Sequence, residues 1–497
     1  MKILCLILVL VLLAGIAAGC GGAPVSHDET DPVKETAEAG TEQMKYAADY
    51  LPAKTFGGYE FRIVVPEDDL YDVMTTAVVE EETGDTVKDA IYRRNRLIEE
   101  EYGVTFRQIS MPDYMALKTN FVKSVAADSD DFDLGMLIAR DAWAVALTGA
   151  LVPVNKLPYI DVTQPWYSHD VNSEITINGK LYFAYSDECL TMFEQTMCVM
   201  FNKKLADDLS LGNMYNIVAD NMWTTDKFFG SARTAAADLN GDGVMTDTDR
   251  YGILMHYDLF YPCFWVSSGV KTVGKDENDL LIFTGQSEKL FNILDKVYQN
   301  MNGGEKIYFD IWRDKITSYS YISGTEDQRK VSNMQFQNDS GLFLIHCIGA
   351  VSTLRAMDAD FGILPFPKYD EEQVKYYSRV ADGWINCVPV TAQDTERTSI
   401  IMEALAVESK NVTVPAYMET ALRTKFTRDN DSAEMLDIIH ADRTMDIGDV
   451  FYMTAVRDVY MNVFTSGKNN FASAVEAKLN AINKELAKAN DTALELE

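Results

Sequence analysis

The sequence predicts an α/β protein whose first part holds a parallel sheet between helices. Residues 60–138 show strand, helix, strand, helix and strand patterns in turn, and this order requires parallel strands joined by helical crossovers. Further strand and helix patterns follow along the rest of the 497-residue chain, without an internal repeat. This length accommodates two or three domains, or two large lobes.

The first strand is predicted at Glu60–Val65. In the helix that follows, Val87 and Ile91 lie at helical spacing, and Gly103 is placed to end the helix. The second strand is "VTFRQIS", and the second helix is "PDYMALKTNFVKSVAAD", with Pro112 near its first turn. The third strand is "FDLGMLI", after which the chain turns into a further helix.

Two turns lie where a sheet of this kind binds its ligands, at the carboxyl ends of its strands. Asp68 and Asp69 follow the first strand, and Arg140 and Asp141 follow the third. Each turn also has a simpler interpretation. Asp68 and Asp69 fit an acidic surface turn, and Asp141 fits a helix N-cap, a position that Asp favours.

The chain beyond residue 175 continues the α/β pattern. A helix over "WTTDKFFGSARTAAAD" is predicted to be capped by Thr224 or Thr225. The segment "HYDLFYPCFWVSSG" follows a strand and is interpreted as irregular and aromatic-rich. The predicted strands are "KLYFAYS", "TMCVMFNKKL", "RYGILMH", "SGLFLIH", "DADFGILPFPKY" and "DGWINCVPV". The final helix is predicted to bury a stripe of apolar residues spaced by three and four, namely Ala472, Val475, Leu479, Ile482 and Leu486.

The amino-terminal segment is typical of an exported protein. One lysine and a continuous apolar run predict a signal peptide over residues 1–19 rather than a membrane-spanning helix. The following "AAGC" resembles the lipobox of bacterial lipoproteins, which implies lipidation of Cys20, although Ala17 stands where a large aliphatic residue is usual. Simple secretion is the alternative. Residues 20–54 are predicted to be a flexible acidic tether, because they have almost no large apolar side chains.

Charge and cysteine content narrow the function further. A net charge of −32 argues against a nucleic-acid partner, which needs a basic surface. It suits a soluble exported protein with a neutral or cationic ligand. Of the seven cysteines, Cys5 leaves with the signal peptide and Cys20 is the predicted lipid carrier, so five remain. They lie in apolar contexts without metal-site spacing, and they are predicted to be buried free thiols.

The segment "DLNGDGVMTDTD" matches a calcium-binding loop. A helix pattern precedes the loop but a strand pattern follows it, and no second copy exists, so a calcium sensor is excluded. The prediction is a structural calcium ion, and the alternative is an Asp/Gly-rich turn that holds no ion. The predicted ligands are Asp238, Asn240, Asp242, Val244 through its carbonyl, Thr246 and Asp249.

The order and spacing of several segments resemble the family 1 extracellular solute-binding proteins, which are the substrate receptors of bacterial sugar importers. The resemblance covers nearly the whole mature chain and is closest to the long carbohydrate-type lipoproteins of low-GC Gram-positive bacteria. Its carriers are "FDLGMLIARDAW", "INGKLYFA", "VMFNKKL", "WTTDKF", "DLNGDGVMTDTDRYGI", "DFGILPFPKYDEEQ" and "DGWINCVPVTAQDTERTSIIMEAL".

This resemblance implies a two-lobe α/β fold of the type II periplasmic-binding-protein kind, with lobes joined by a hinge that the chain crosses more than once. Lobe 1 would hold residues 55–160 plus 380–422, and lobe 2 would hold residues 165–375 plus 423–497. The ligand would bind in the cleft between the lobes. Maltose-binding relatives make aromatic and acidic contacts there, which implies a role for Asp141 with Arg140. A further list of implied contacts is Tyr257, Tyr261, Phe264, Trp265, Asp382 and Trp384.

The predicted function is therefore a lipid-anchored receptor that binds a sugar or oligosaccharide and delivers it to the transmembrane subunits of an ABC permease. It is expected to be monomeric, to lie on the outer face of the cytoplasmic membrane of a Gram-positive bacterium, and not to be an enzyme. The sequence has no GxSxG, HExxH or phosphate-binding GxxxxGK[ST] motif. The alternative is an exported glycan-degrading enzyme or a passive surface glycan-binding protein, because a glycosidase's two carboxylates cannot be recognised in so acidic a sequence.

Overall fold

The computed structural model describes residues 46–67, 74–304, 306–310, 331–423 and 431–496. All of them belong to one unit that spans Lys45–Glu497. The signal peptide, Cys20, Asp68 and Asp69 lie outside the described residues, so their predicted roles stay predictions.

The described residues form thirteen strands and a larger set of helices. The strands are β1 (Tyr59–Pro66), β2 (Val104–Met111), β3 (Leu134–Ile138), β4 (Met197–Asn202), β5 (Tyr251–Met255), β6 (Val273–Lys275), β7 (Leu281–Phe283), β8 (Tyr308–Asp310), β9 (Gly341–Cys347), β10 (Phe361–Leu364), β11 (Ser378–Arg379), β12 (Trp384–Cys387) and β13 (Arg443–Thr444). The α-helices are Thr86–Tyr102, Tyr114–Ala126, Ala139–Ala146, His169–Ile175, Leu190–Glu194, Lys203–Asp208, Met214–Ala219, Thr225–Ala235, Tyr257–Ser267, Glu288–Asn302, Val331–Gln337, Thr395–Glu408, Val414–Arg423, Asp431–Ala441, Ile447–Val450, Asp458–Ser466 and Phe471–Glu495. Shorter 3-10 helices lie at Ala47–Asp49, Val154–Lys156 and Ile348–Ala356, and π turns lie at Ser409–Thr413 and Met453–Arg457.

The first sheet has the order β12-β3-β1-β2. Strand β1 is parallel to β2 and β3, which confirms the predicted β-α-β-α-β run, and β12 joins antiparallel to β3. Local chemistry fixes the first crossover helix. The Asp85 carboxylate accepts from the backbone N–H groups of Val87 and Lys88 at its start, and Gly103 ends it at a φ of 58°, in the left-handed region. Pro112 lies just outside the second helix, because Asp113 takes the N-cap position.

The second sheet has the order β10-β4-β9-β5-β8 and is mixed. Strand β5 is parallel to β8 and β9, whereas β4 is antiparallel to β9 and β10. Thr224 caps the helix Thr225–Ala235, because its hydroxyl accepts from the Lys227 N–H at 3.3 Å. Of the two predicted N-caps, Thr224 is therefore confirmed and Thr225 is not. The remaining strands form two small pairs, β11 parallel to β13 and β6 antiparallel to β7.

Two local predictions are wrong. The segment "KLYFAYS" is not a strand, and only isolated bridges form, such as that between Ile177 and Lys180. Leu181 to Tyr185 is buried throughout, and a short buried apolar run does not by itself distinguish a strand from other buried structure. The aromatic segment predicted to be irregular is the helix Tyr257–Ser267. Its pattern is hidden because the helix is buried on nearly all sides and contains Pro262.

The chain crosses between the two sheets several times. It passes from β3 to β4, returns from β10 to β12, and then leaves the first sheet again for the helix Asp431–Ala441, which packs on β10. Two of these crossings touch each other, since the Ala381 N–H donates to the Gln195 carbonyl at 3.0 Å and Thr196 bridges Val380. This is the predicted multi-crossing connection. The exact lobe boundaries stay a prediction.

The start of the described chain is packed rather than flexible. Ala47 and Leu51 are buried, although they lie in the stretch predicted to be a tether. Glu403 explains the packing, because its carboxylate accepts from the Tyr50 hydroxyl at 3.0 Å, the Trp166 Nε1 at 3.0 Å and the Tyr167 hydroxyl at 2.6 Å. Burial raises the pKa of Glu403 to about 7, against the lowering effect of these three donors. A partner so distant in sequence could not be inferred from the composition of the tether.

The final helix, Phe471–Glu495, buries most of the predicted stripe. Val475, Ile482 and Leu486 are buried, whereas Ala472 is exposed and Phe471 takes its place in the interface. No helix within the described ranges is long and apolar enough to cross a membrane.

Gly252 in β5 allows the helix Thr225–Ala235 to pack against the second sheet, because a Cβ at Gly252 would lie 2.1 Å from the Ala232 carbonyl oxygen. We expect Gly252→Ala to lower the free energy of unfolding by about 2 kcal/mol, as overpacking of backbone against backbone does. Urea unfolding followed by circular dichroism measures this loss. Gly230→Ala is the control, because Gly230 lies in the same helix with open space around its Cβ position, and it should raise the stability by about 0.5–1 kcal/mol. Equal stabilities of the two variants would contradict the packing argument.

Candidate functional site

The carboxyl ends of β1, β2 and β3 meet at one edge of the first sheet, where β12 begins. Arg140 and Asp382 join there, with the Arg140 Nη1 2.6 Å from the Asp382 Oδ2. Their side chains are only 19% and 13% exposed. Burial raises the pKa of the Asp382 carboxyl, although Arg140 acts in the opposite direction. Two predicted ligand residues are therefore brought together as a mostly buried ion pair.

An aromatic group completes this edge. The Tyr114 ring lies 5.2 Å from the Arg140 guanidinium and 6.4 Å edge-on from the Trp384 ring. Tyr114 is half-buried. Trp384 is 2% exposed, and its backbone N–H donates to the Thr191 hydroxyl at 2.8 Å. The aromatic surface at this edge therefore belongs to Tyr114, and Trp384 supports it from below.

Asp141 pairs with Lys118, whose Nζ lies 2.8 Å from the Asp141 Oδ1. Ile138 occupies the N-cap of the helix Ala139–Ala146, so the alternative role of Asp141 as the N-cap is wrong. Asp141 lies in the first helical turn instead, where a negative charge is favourable. Lys118 was not predicted as a site residue, although it lies one turn after Tyr114 on the helix that follows β2.

A second group of polar side chains lies at the carboxyl ends of β5 and β9. His256 Nδ1 is in close contact with the Asp258 carboxylate. His346 Nδ1 accepts from the Cys347 backbone N–H at 2.9 Å, so its remaining proton resides on Nε2. Burial and the neighbouring His256 lower the pKa of His346 to about 4. At neutral pH His346 is therefore an uncharged hydrogen-bond donor.

The predicted aromatic contacts separate into one accessible residue and three core residues. Tyr257 is half-buried and stacks on the His256 ring. Tyr261, Phe264 and Trp265 are at most 1% exposed. The Trp265 Nε1 donates to the buried Asp446 at 3.0 Å. Contact between a ligand and any of these three would require a conformational change that exposes it.

Stacked aromatic rings connect the helix that follows β3 with the segment that follows the helix Ile447–Val450. Trp143, on the helix that follows β3, lies 4.8 Å from the parallel Phe451 ring, and its Nε1 donates to the Tyr452 hydroxyl at 3.4 Å. Phe451 is half-buried. The helix that carries Arg140 and Asp141 is therefore in contact with the segment that carries Phe451 and Tyr452.

Three solved structures have similar folds. A cyclo/maltodextrin-binding protein complexed with maltotetraose has a TM-score of 0.56 at 12% identity, over 86% of this chain and 97% of that one. An ABC substrate-binding protein from Listeria monocytogenes in complex with cycloalternan has a TM-score of 0.54 at 12% identity, over 86% of this chain and 99% of that one. UgpB from Mycobacterium tuberculosis in complex with glycerophosphocholine has a TM-score of 0.52 at 14% identity, over 88% of this chain and 100% of that one. No protein-family profile and no curated protein sequence matches the chain.

The chain has the fold of these binding proteins. The predicted resemblance to maltose-type solute-binding proteins, and the predicted two-lobe type II architecture, are confirmed at the level of the fold. At identities this low, the likeness concerns the architecture and does not carry over any ligand.

The calcium-like loop of this binding-protein fold is closed by its own hydrogen bonds. The two Asp238 oxygens accept from the backbone N–H groups of Gly241 and Gly243, each at 2.7 Å. Burial would raise the pKa of Asp249, but bonds from the N–H groups of Thr246 and Leu239 lower it. Among the residues that the structure describes, no three His, Cys, Asp or Glu side chains are grouped to hold a metal ion. The geometry accounts for the turn without an ion, and the calcium site stays a prediction.

The calcium prediction is tested by thermal unfolding. If the loop holds calcium, about 1 mM calcium chloride should raise the melting temperature above that in EDTA, since an ion that binds only the folded state stabilises it. Asp242→Asn should remove the difference. A melting temperature that is equal with and without calcium would identify the segment as an ion-free turn.

Proposed function

We propose that this protein is the substrate-binding subunit of an ABC importer, and that it binds a sugar or oligosaccharide between two sheet-centred bodies. The first body is built on the sheet β12-β3-β1-β2, and the second body is built on the sheet β10-β4-β9-β5-β8. The observation that carries the proposal is the polar and aromatic sheet edge formed by Arg140, Asp382 and Tyr114, in a fold that resembles solved structures with maltotetraose and cycloalternan. The permease that receives the ligand would recognise the arrangement in which the two bodies enclose it.

The side chains at the two edges suit a carbohydrate. Charged and amide-like groups bond sugar hydroxyls, and aromatic faces cover the apolar C–H patches of the ring. Arg140, Asp382 and Asp141 supply the charged groups, and Tyr114 supplies a half-buried ring. Neutral His346 adds a donor without a net charge. Such a mixture bonds many hydroxyl groups without requiring an ionic ligand.

The alternative is an exported glycan-degrading enzyme or a passive glycan-binding surface protein. The solved structures of similar fold include a cyclo/maltodextrin-binding protein, an ABC substrate-binding protein and a sugar transporter from Rhizobium etli, which favours the receptor. Incubation with maltotetraose separates the two functions, because an enzyme releases shorter products and a receptor returns the sugar intact.

Ligand binding is tested by titration calorimetry with maltotetraose and cycloalternan. Where a sugar binds, Arg140→Gln should weaken it by about ten- to a hundredfold, because the variant removes a charge-assisted donor and leaves Asp382 unpaired in a mostly buried position. Arg93→Gln is the matched control, since Arg93 lies in an exposed pair with Glu82 and should bind as the native protein does. An unchanged affinity of Arg140→Gln would contradict the placement of the site at this edge.

We further propose that Cys20 carries a lipid that anchors the monomeric protein to the outer face of the cytoplasmic membrane, in a Gram-positive bacterium. The motif around Cys20 supports this proposal. Cys20→Ala should leave an uncleaved precursor without lipid, seen as a larger band on a denaturing gel and as loss of labelling by a palmitate analogue. Processing and membrane retention equal to those of the native protein would contradict lipidation.

A further inference from the structure

The short helix Leu190–Glu194 lies where the two bodies meet, and all five of its residues are buried. On one side, the Thr191 hydroxyl donates to the Trp384 carbonyl at 3.0 Å and accepts from the Trp384 N–H, which ties the helix to the first sheet. On the other side, the backbone of Gly349, just after β9 of the second sheet, lies directly against Glu194. This helix is therefore a junction between both sheets.

Glu194 is the ionisable side chain of this helix, and it makes a contact toward each sheet. Its Oε2 accepts from the Met74 backbone N–H at 2.8 Å, and Met74 belongs to the connection between β1 and the helix Thr86–Tyr102. Its backbone and Cβ face Gly349. Glu194 is 7% exposed, and no cation pairs with it among the described residues. A carboxyl that is buried with a single N–H donor costs less free energy to bury when it is protonated than when it is ionised.

We propose that Glu194 is a proton-operated latch: when protonated it holds the junction between the two sheet-centred bodies closed, and when ionised it loosens that junction.

The electrostatic surroundings of Glu194 favour the protonated form. Burial raises its pKa to about 7, and the Met74 N–H offsets only part of this effect. The other titratable groups that interact with it, within the described ranges, are the Cys347 thiol and the Tyr417 phenol. Burial raises the pKa of both, so they remain uncharged near neutral pH. In the facing connection, residues 74–79 contain no ionisable side chain, and the carboxyl groups of Glu80, Glu81, Glu82 and Asp85 follow further along it.

The direction of the pH dependence follows from the difference between the pKa of Glu194 in the closed junction and its pKa in water. When the junction opens, Glu194 returns to water and to its ordinary pKa of 4.5. The closed junction therefore holds a proton that the open one releases between these two values. The stabilisation of the closed junction by this proton is fully present below about pH 4.5 and is progressively lost as the pH rises through about 7. A consequence that rests on the proposed function is tighter sugar binding at acidic than at alkaline pH.

Hydrogen exchange in the absence of any ligand tests the latch, so its outcome is independent of which sugar binds. The protection factor of the Met74 amide measures how often the junction opens. We expect it to fall by about thirtyfold between about pH 5.5 and pH 8, as a Glu194 pKa of about 7 in the closed junction and 4.5 in the open one requires. The Trp384 amide, which is bonded to Thr191 across the same junction, should fall with it.

Two variants make the test specific. Glu194→Gln keeps the size and the acceptor but cannot ionise, so both protection factors should become independent of pH. Glu403→Gln is the matched control, since Glu403 is also a buried carboxyl whose pKa is about 7 but has no contact with Met74; it should retain the fall. A constant protection factor in the native protein, a fall confined to Met74, or an equal fall in Glu194→Gln would overturn the proposal. If Glu194→Gln does not fold, the pH profile of the native protein alone tests the proposal.

Discussion

The buried ion pair between Arg379 and Asp449 is the interaction on which the arrangement of the two sheets depends. The Arg379 Nε and Nη2 donate to the two Asp449 oxygens at 2.5 and 3.0 Å, and the side chains are 3% and 0% exposed. Burial alone would lower the pKa of Arg379, but Asp449 raises it well above the ordinary value. Loss of either partner would leave an unpaired buried charge, at a cost of about 3–5 kcal/mol. The segment that carries Arg379 is therefore fixed on the second body just before it enters the first.

That crossing segment links stability and the candidate site. Val380 bridges Thr196, the Asp382 carboxylate pairs with Arg140, and Trp384 begins β12 in the first sheet. Residues 380–384 thus contribute the connection between the bodies, the Asp382 half of the ion pair with Arg140, and the first residue of β12 in the first sheet. Under the proposed function, a ligand that binds Arg140 and Asp382 would act directly on this connecting segment. Binding would then be coupled to any movement of the bodies through the backbone itself, without a long chain of intermediate contacts.

The sequence predicts the parts of this site that follow from local order, and it does not predict those that follow from burial. The turn at Arg140 was found because a strand of the β-α-β-α-β run ends there. Its partner Asp382 was predicted only as a separate residue, because the pair spans 242 positions. Tyr114 and His346 were missed, although Tyr114 closely follows β2 and His346 is the second-last residue of β9, so attention to strand ends would have found them. Trp265 lies in the core of this structure, and its predicted ligand contact stays a prediction, since aromatic crowding in a sequence looks the same for a cleft and for a core.

The five cysteines of the described chain are free and buried, as predicted. Burial raises the pKa of the Cys198 and Cys387 thiols, among others, so little thiolate forms at neutral pH. If the chain is exported, as its amino-terminal sequence predicts, it meets oxidants once it leaves the cell, and an odd number of thiols cannot all be paired. The folded state removes this danger by enclosing them. The thiols are therefore exposed to mispairing and oxidation only while the chain first folds. A mutation that slows folding would increase this damage even if it left the free energy of unfolding unchanged.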